Sequence, residues 1–326
     1  MLKATRISNN KQPKVSLVGK TALITGSNSG IGLACATLLP TLGVSHIILA
    51  VRSISKGNEA AASIRKKHID LKIDVWELDM LSYPSIQAFA QRCSTLPRLD
   101  IAILNAGAGG GAISKINEST GHEEVFQINY LSTALLAILL IPVLKPKTTG
   151  QQPGRLTIVG SGMGLLSSFS NRDAVPLIPS FDVPFSGFVA AGERYSVSKT
   201  LVMMLVQKLS EAVSADNVII NTVEPGLTSG TELHRDVSGA GQLLMKVMKK
   251  AMSRTPEQAA WTYVDACAAK GKESHGGFVM FWEVSPFHQM MYTPEGKQTT
   301  ERLWEETLAE LEFAGVRQTL ERPKAV

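Results

Sequence analysis

Seven short runs rich in branched apolar residues recur along this 326-residue chain: Thr21–Thr25, His46–Val51, Ile73–Leu78, Leu99–Leu104, Leu156–Gly160, Val218–Val223 and Phe278–Phe281. Longer amphipathic stretches separate them, at Gly30–Leu42, Ile54–Lys67, Pro84–Cys93, His122–Leu144, Arg194–Val213 and Pro256–Ala269. The short runs predict strands and the longer ones helices. Strands that alternate with helices rejoin one sheet by crossovers, which predicts an α/β fold: a parallel sheet with helices on both faces. Ligands of such a sheet bind at the carboxyl ends of its strands. No repeat, low-complexity tract or charged linker divides the chain, so one domain is expected over 19–326, preceded by a flexible arm at 1–18. Two stretches read as insertions: 162–193, rich in Ser, Pro, Gly and Phe, and 228–254, with Leu243, Leu244, Met245, Val247 and Met248. Either insertion can wall a pocket or simply decorate the packing.

The first strand runs into Thr25-Gly26-Ser27-Asn28-Ser29-Gly30-Ile31-Gly32, and a helical pattern follows. In that context glycines let the backbone approach a pyrophosphate at a helix N-terminus. The spacing differs from G-x-G-x-x-G, and taken alone it also describes a tight turn. Far downstream, Tyr195-Ser196-Val197-Ser198-Lys199 places a phenol and an ammonium one helical turn apart. A cation there favours the phenolate and makes the tyrosine usable as an acid or base. Taken alone, the pair also describes a half-buried helix face with a snorkelling amine. Together the two marks point to redox chemistry on a bound nucleotide.

Composition narrows the setting. Apolar residues make up 44% and charged residues 19%, which is ordinary for a folded globular enzyme. The net charge of +5 is spread without a Lys/Arg block, so a nucleic-acid partner has no support. Cys35, Cys93 and Cys267 have no metal-ligand spacing, so no metal is expected, and a reducing, cytoplasmic setting is. The apolar run from Tyr130 to Leu144 is short for a membrane span and is interrupted by Pro142, so it reads as a buried or interface helix rather than a transmembrane segment. The N-terminal residues Lys3, Arg6, Lys11 and Lys14 lie in a stretch without the apolar core of a secretory signal.

Six motifs in order give the chain a resemblance to the short-chain dehydrogenase/reductase superfamily, in its classical-like branch around the retinol dehydrogenases. They are Thr25-Gly26-x-x-x-Gly30-Ile31-Gly32, Asn105-Ala106-Gly107, Phe126-Gln127-Ile128-Asn129, Ser161 after a strand, Tyr195-x-x-x-Lys199, and Pro225-Gly226 with Thr228. The resemblance covers roughly residues 18–283. It implies a single Rossmann-type doubly wound sheet of about seven strands, ordered 3-2-1-4-5-6-7. It makes Tyr195 the acid in carbonyl reduction and the base in alcohol oxidation. Lys199 then favours the phenolate and binds the nicotinamide ribose, Ser161 holds the substrate oxygen, and Asn129 supports proton resupply. Ser167 and Ser168 compete with Ser161, which alone follows the strand directly. The cofactor-binding set it implies is Gly26, Ser27, Asn28, Ser29, Gly30, Ile31, Gly32, Arg52, Asp79, Met80, Asn105, Ala106, Gly107, Tyr195, Lys199, Pro225, Gly226 and Thr228. Asp79 is expected against the adenine ring.

Cofactor choice turns on the ribose 2′ position, where a carboxylate accepts from a hydroxyl and arginine attracts a phosphate. No acid occurs from His46 through Asn58, whereas Arg52 and Lys56 do, so NADP(H) is expected, with Ser27 and Asn28 adding hydrogen bonds to the phosphate. Met163, Leu165, Leu166, Phe169, Phe181, Phe185 and Phe188, then Leu227, Leu233, Leu243, Leu244 and Met248, suggest apolar walls for a bulky lipophilic ketone or alcohol. The expected activity is a ketoreductase, in secondary metabolism (polyketide or terpenoid tailoring) or in retinoid-like chemistry. A non-redox enzyme using Tyr195 as acid or base, an isomerase, dehydratase or cyclase, stays open at this stage, as does an NADP(H)-sensing binding protein. A homodimer through the Tyr130–Leu144 helix and the Tyr195 helix is open too, as is coverage of that surface by the segment 293–326.

Overall fold

The computed structural model describes residues 12–109, 111–146, 152–229 and 253–321. Eight strands form one sheet in the order β3-β2-β1-β4-β5-β6-β7-β8. They are β1 Thr21–Thr25, β2 His46–Val51, β3 Lys72–Glu77, β4 Ile101–Leu104, β5 Gly154–Val159, β6 Val218–Val223, β7 Gly277–Met280 and β8 Glu283–Ser285. The first seven are parallel, and β8 pairs antiparallel with β7. The seven expected strands stand where the sequence placed them, within one or two residues at most ends. The eighth is an addition. It returns through the two residues Phe281 and Trp282, both left-handed (φ 52° and 71°), between the paired Met280 and Glu283. Such a turn normally advertises itself with Asn or Gly, and here it does not.

The helices are α1 Gly30–Leu38, α2 Ile54–Arg65, α3 Tyr83–Ser94, α4 Glu124–Leu144, α5 Phe188–Ala212, α6 Pro256–Val264, α7 Pro294–Glu310 and α8 Val316–Glu321. Side-chain caps start several of them. Ser53 accepts from Lys56 N, Ser82 from Ser85 N, and Thr255 forms a reciprocal box with Gln258. Apolar residues fill two cores, one on each face of the sheet. One joins Ile24, Ile47, Leu49 and Ile103 to α1, α2 and α6; the other joins Leu23, Ile48, Leu104 and Leu156 to α3, α4, α5 and α7. The chain order reverses between β1 and β4, which opens a crevice at their carboxyl ends.

Helix α4 has the length and apolarity of a membrane span, yet its most apolar window is 83% buried inside the fold. Helices α3 and α8 pack on it, and Tyr130 Oη meets Thr307 Oγ1 of α7 at 2.7 Å. The C-terminal segment thus covers a surface through which a homodimer had been entertained. The same segment ties down the insertion at 162–193. Glu306 accepts from Leu177 N and Ile178 N at 2.8–2.9 Å, His288 Nε2 meets Ser167 O at 3.0 Å, and Arg302 reaches Arg172 O. His122 sits between Asp182 of that insertion (3.0 Å) and Glu310 of α7 (3.1 Å).

Candidate active site

The glycine turn is held by Thr25 at the end of β1 and by side chains from two other elements, Asn105 after β4 and, behind it, Tyr263 of α6. Asn105 Nδ2 donates to Thr25 O (2.9 Å) and Gly26 O (3.3 Å), and Thr25 Oγ1 accepts from Ala106 N (2.8 Å). Tyr263 of α6, fully buried, donates from its hydroxyl to Asn105 Oδ1 at 2.8 Å. The turn has room for no more atoms: a Cβ on Gly32 would stand 2.5 Å from Gly26 O and 2.7 Å from Asn105 Nδ2. Gly26 and Gly30 adopt positive φ (64° and 54°), which other residues reach only with strain. Ser29 is the N-cap of α1 but gives it no side-chain hydrogen bond, and the first turn carries no acid. The leading N–H groups of α1 therefore keep their capacity for a phosphate. Ile31 is buried beneath them.

Ser27 and Asn28 part company. Ser27 is fully buried, and its hydroxyl has no partner among the described residues, whereas Asn28 and Ser29 are partly exposed at the crevice. The difference in burial puts Asn28, not Ser27, on the open side. Arg52 is exposed one residue past β2 and forms no ion pair or hydrogen bond among the described residues. Asp79, partly buried after β3, accepts from Leu81 N through Oδ1 (3.0 Å). Met80 packs in the core, and its carbonyl accepts from Ser132 Oγ. An anion-ready helix end, a glycine cradle and an unpaired arginine beside them fit a phosphate-bearing dinucleotide.

Tyr195, Ser161, Lys199 and Asn129 converge at the ends of β4 and β5. The Ser161 hydroxyl faces the Tyr195 phenol and accepts from Met163 N at 3.2 Å. Ser167 is engaged with Thr200 (2.7 Å) and Ser168 with Glu193 (2.7 Å), so neither competing serine shares that place. Lys199 Nζ donates to Val159 O at 3.0 Å and lies 5.8 Å from the centre of the Tyr195 ring. Burial pushes its ammonium down to about 8. Burial raises the Tyr195 phenol above the ordinary tyrosine value; the Ser161 hydroxyl lowers it and the Glu224 carboxyl raises it further. The expected lowering by Lys199 is not among the influences on this phenol, whose net direction is upward, toward the protonated form.

Asn129 lies in a π-helical turn, Gln127–Leu131, within α4. The wide turn aims its amide at β4's exit: Nδ2 donates to Ala108 O (2.8 Å) and Ser198 Oγ (3.0 Å), while Oδ1 accepts from Ala108 N (2.9 Å). A Cβ on Gly107 would meet Asn129 Oδ1 at 3.1 Å and Lys199 Nζ at 3.6 Å, so these three groups share one corner. On the far side, Gly226 turns at φ 82° after Pro225, and Thr228 Oγ1 donates to Gly226 O at 2.9 Å. Arg254 lies across this turn, with Nη1 3.3 Å from Pro225 O.

The proposed walls divide. Phe169 and Phe181 are core residues, the latter stacked on Phe126 at 4.5 Å. Met163, Leu166 and Phe188 are exposed, and Leu165, Phe185 and Leu227 are half-buried. Leu233, Leu243, Leu244 and Met248, with most of the 228–254 insertion, lie outside the described residues, as does most of the N-terminal arm. Sequence reading missed Tyr263, Glu224 and Arg254. None stands in a motif, and Tyr263 carries the amphipathic spacing of any core helix.

Residues 20–172 match the family model for short chain dehydrogenase. A short chain dehydrogenase/reductase of Annulohypoxylon moriforme, mfmJ, is 50% identical over 96% of this chain and 90% of its own length. A short chain dehydrogenase of Hypocrea virens, virL, is 41% identical over 92% and 87%. Among solved structures, L-sorbose reductase from Gluconobacter frateurii, complexed with NADPH and L-sorbose, superposes with a TM-score of 0.60 at 24% identity, over 82% of this chain and 96% of that one. That likeness is one of fold.

Proposed function

The chain belongs to the short-chain dehydrogenase/reductase family, and from that premise we propose that it is an NADPH-dependent reductase of bulky lipophilic ketones. The observation that carries the reading is the convergence of Ser161, Tyr195, Lys199 and Asn129 at the sheet's carboxyl edge, with Lys199 Nζ 5.8 Å from the centre of the Tyr195 ring and Asn129 bonded to Ser198 of the same helix. The dinucleotide, when bound, supplies the hydride. Ser161 holds the substrate oxygen, and Tyr195, its proton retained by burial, protonates that oxygen as charge develops there. Lys199 places a cation behind the phenol, and Asn129 fixes the β4 exit through Ala108. Asn28, Ser29 and the α1 N-terminus would hold the diphosphate, and Arg52 would hold the 2′-phosphate. Exposed Met163, Leu166 and Phe188 support an apolar substrate. The setting that suits such chemistry is a cytosolic tailoring step in secondary metabolism.

The test is incubation with NADPH and a panel of lipophilic ketones, following cofactor absorbance and product mass. Stoichiometric NADPH consumption is expected, and Tyr195→Phe lowers kcat by about 10²–10⁴-fold. Product without NADPH consumption would replace the reductase with a non-redox enzyme, and undiminished turnover in Tyr195→Phe would remove the mechanism.

A further inference from the structure

Glu224 follows β6 at a place where the sheet register brings it to the reaction centre. Val223 pairs with Val159, so the next residue stands beside Gly160 and the Ser161–Gly162 turn. A Cβ built on Gly162 would lie 3.7 Å from Glu224 Cγ and 3.8 Å from its Oε1. Ser161, the preceding residue, is the one that faces Tyr195. Glu224 Oε2 is buried with no hydrogen-bond partner among the described residues. An acidic side chain in such a place is expensive to keep, since burial penalises its charged form.

We propose that Glu224 is a positioning residue for the reaction: its carboxylate, seated beside the Ser161–Gly162 turn with one oxygen unpartnered, holds the phenolic proton on Tyr195 and so sets the site to give a proton to a substrate oxygen. The groups around it define what it acts on. From α5, Tyr195 faces it; from α6, Tyr263; from the segment before α6, Arg254; and from its own turn, the Gly226 N–H. Tyr195 is faced in turn by the Ser161 hydroxyl and the Lys199 ammonium, and Tyr263 by Cys35. Burial raises the Glu224 carboxyl, while Arg254 and the Gly226 N–H lower it. A carboxyl still ionises well before a phenol, so a negative charge is already in place when Tyr195 titrates. Glu224 therefore acts to retain the proton of a phenol whose ring centre lies 5.8 Å from the Lys199 ammonium. Reduction needs the protonated phenol and oxidation the ionised one, which makes this retention a bias of direction.

This inference rests on Tyr195 as the proton donor, and its readout is independent of turnover. Tyrosinate absorbance is titrated in protein saturated with NADP⁺, each variant being compared with its own Tyr195→Phe counterpart to isolate the one phenol. Glu224→Gln, isosteric and neutral, is expected to move the Tyr195 titration down by about one pH unit, a tenfold loss of proton affinity. The alkaline limb of kcat/KM for reduction moves with it, and the oxidation-to-reduction ratio rises. Glu224→Asp, which keeps the charge, restores the titration toward the parent value, an outcome that a packing role would not give. Thermal melting checks the fold, and Glu224→Ala replaces the amide where the amide does not fold. A titration that stays put or moves up in the neutral variants overturns the proposal, even if ketones are still reduced. A downward shift in a protein that reduces no ketone upholds the coupling and overturns the reductase reading alone.

Discussion

Replacing His122 with phenylalanine tests the clamp that holds the 162–193 insertion against α7. His122 is 6% exposed, and its two ring nitrogens meet Asp182 Oδ2 at 3.0 Å and Glu310 Oε1 at 3.1 Å. Burial alone would lower the imidazole; the hydrogen bonds and charges of the two carboxylates outweigh it and push the group up to about 9 from an ordinary 6.5. At about 1.4 kcal/mol per pH unit that interval is worth about 3 kcal/mol, and about 2 kcal/mol once water screening at the 37% exposed Glu310 side chain is allowed for. The folded-state value is raised, so this stabilisation is fully present below 6.5 and disappears as the pH climbs through about 9. Urea unfolding of the parent and His122→Phe should give a stability gap that is widest near neutrality and closes toward about pH 10. Phenylalanine keeps the edge contact with Phe126, whose ring centre is 6.0 Å away, so packing contributes a constant offset. A gap that is level across the whole range refutes the ion-pair reasoning.

Two further outcomes are expected. Arg52→Ala should raise the KM for NADPH by tenfold or more while leaving that for NADH within about twofold, measured by steady-state kinetics with each cofactor; equal losses would remove the phosphate assignment. Tyr263→Phe strips the hydroxyl that braces Asn105 and should cost about 1 kcal/mol in melting experiments, together with weaker dinucleotide binding by calorimetry. Unchanged affinity would separate the brace from the cofactor turn.

How far the fold could be read depended on whether each feature leaves a local mark. The β1–turn–α1 unit was legible because only glycine tolerates the positive φ at positions 26 and 30 and the 2.5 Å approach at position 32. Strand β8 was not, because Phe281 and Trp282 make a left-handed turn that their side chains disfavour. Helix α5 begins at Phe188, six residues ahead of the expected start, since Gly187 and Gly192 look like loop residues to a propensity argument. The π turn around Asn129 inserts one residue per turn into an otherwise uniform apolar run and leaves the spacing almost unaltered. Order and spacing singled out Ser161, Tyr195, Lys199 and Asn105, which the fold brings to the carboxyl ends of the central strands. They were silent on which of Ser27 and Asn28 faces the crevice, and on Glu224, which acquires its neighbours only through the pairing of β5 with β6.

The bonds from Glu306 to Leu177 and Ile178 cross up to 129 positions of sequence. The conformation of the 162–193 insertion is therefore encoded in two separated passages that must change together. Grafting the loop alone onto a shorter relative would leave Leu177 and Ile178 without the carboxylate that fixes them, while a chimera that exchanges loop and tail as a pair should keep the loop's conformation.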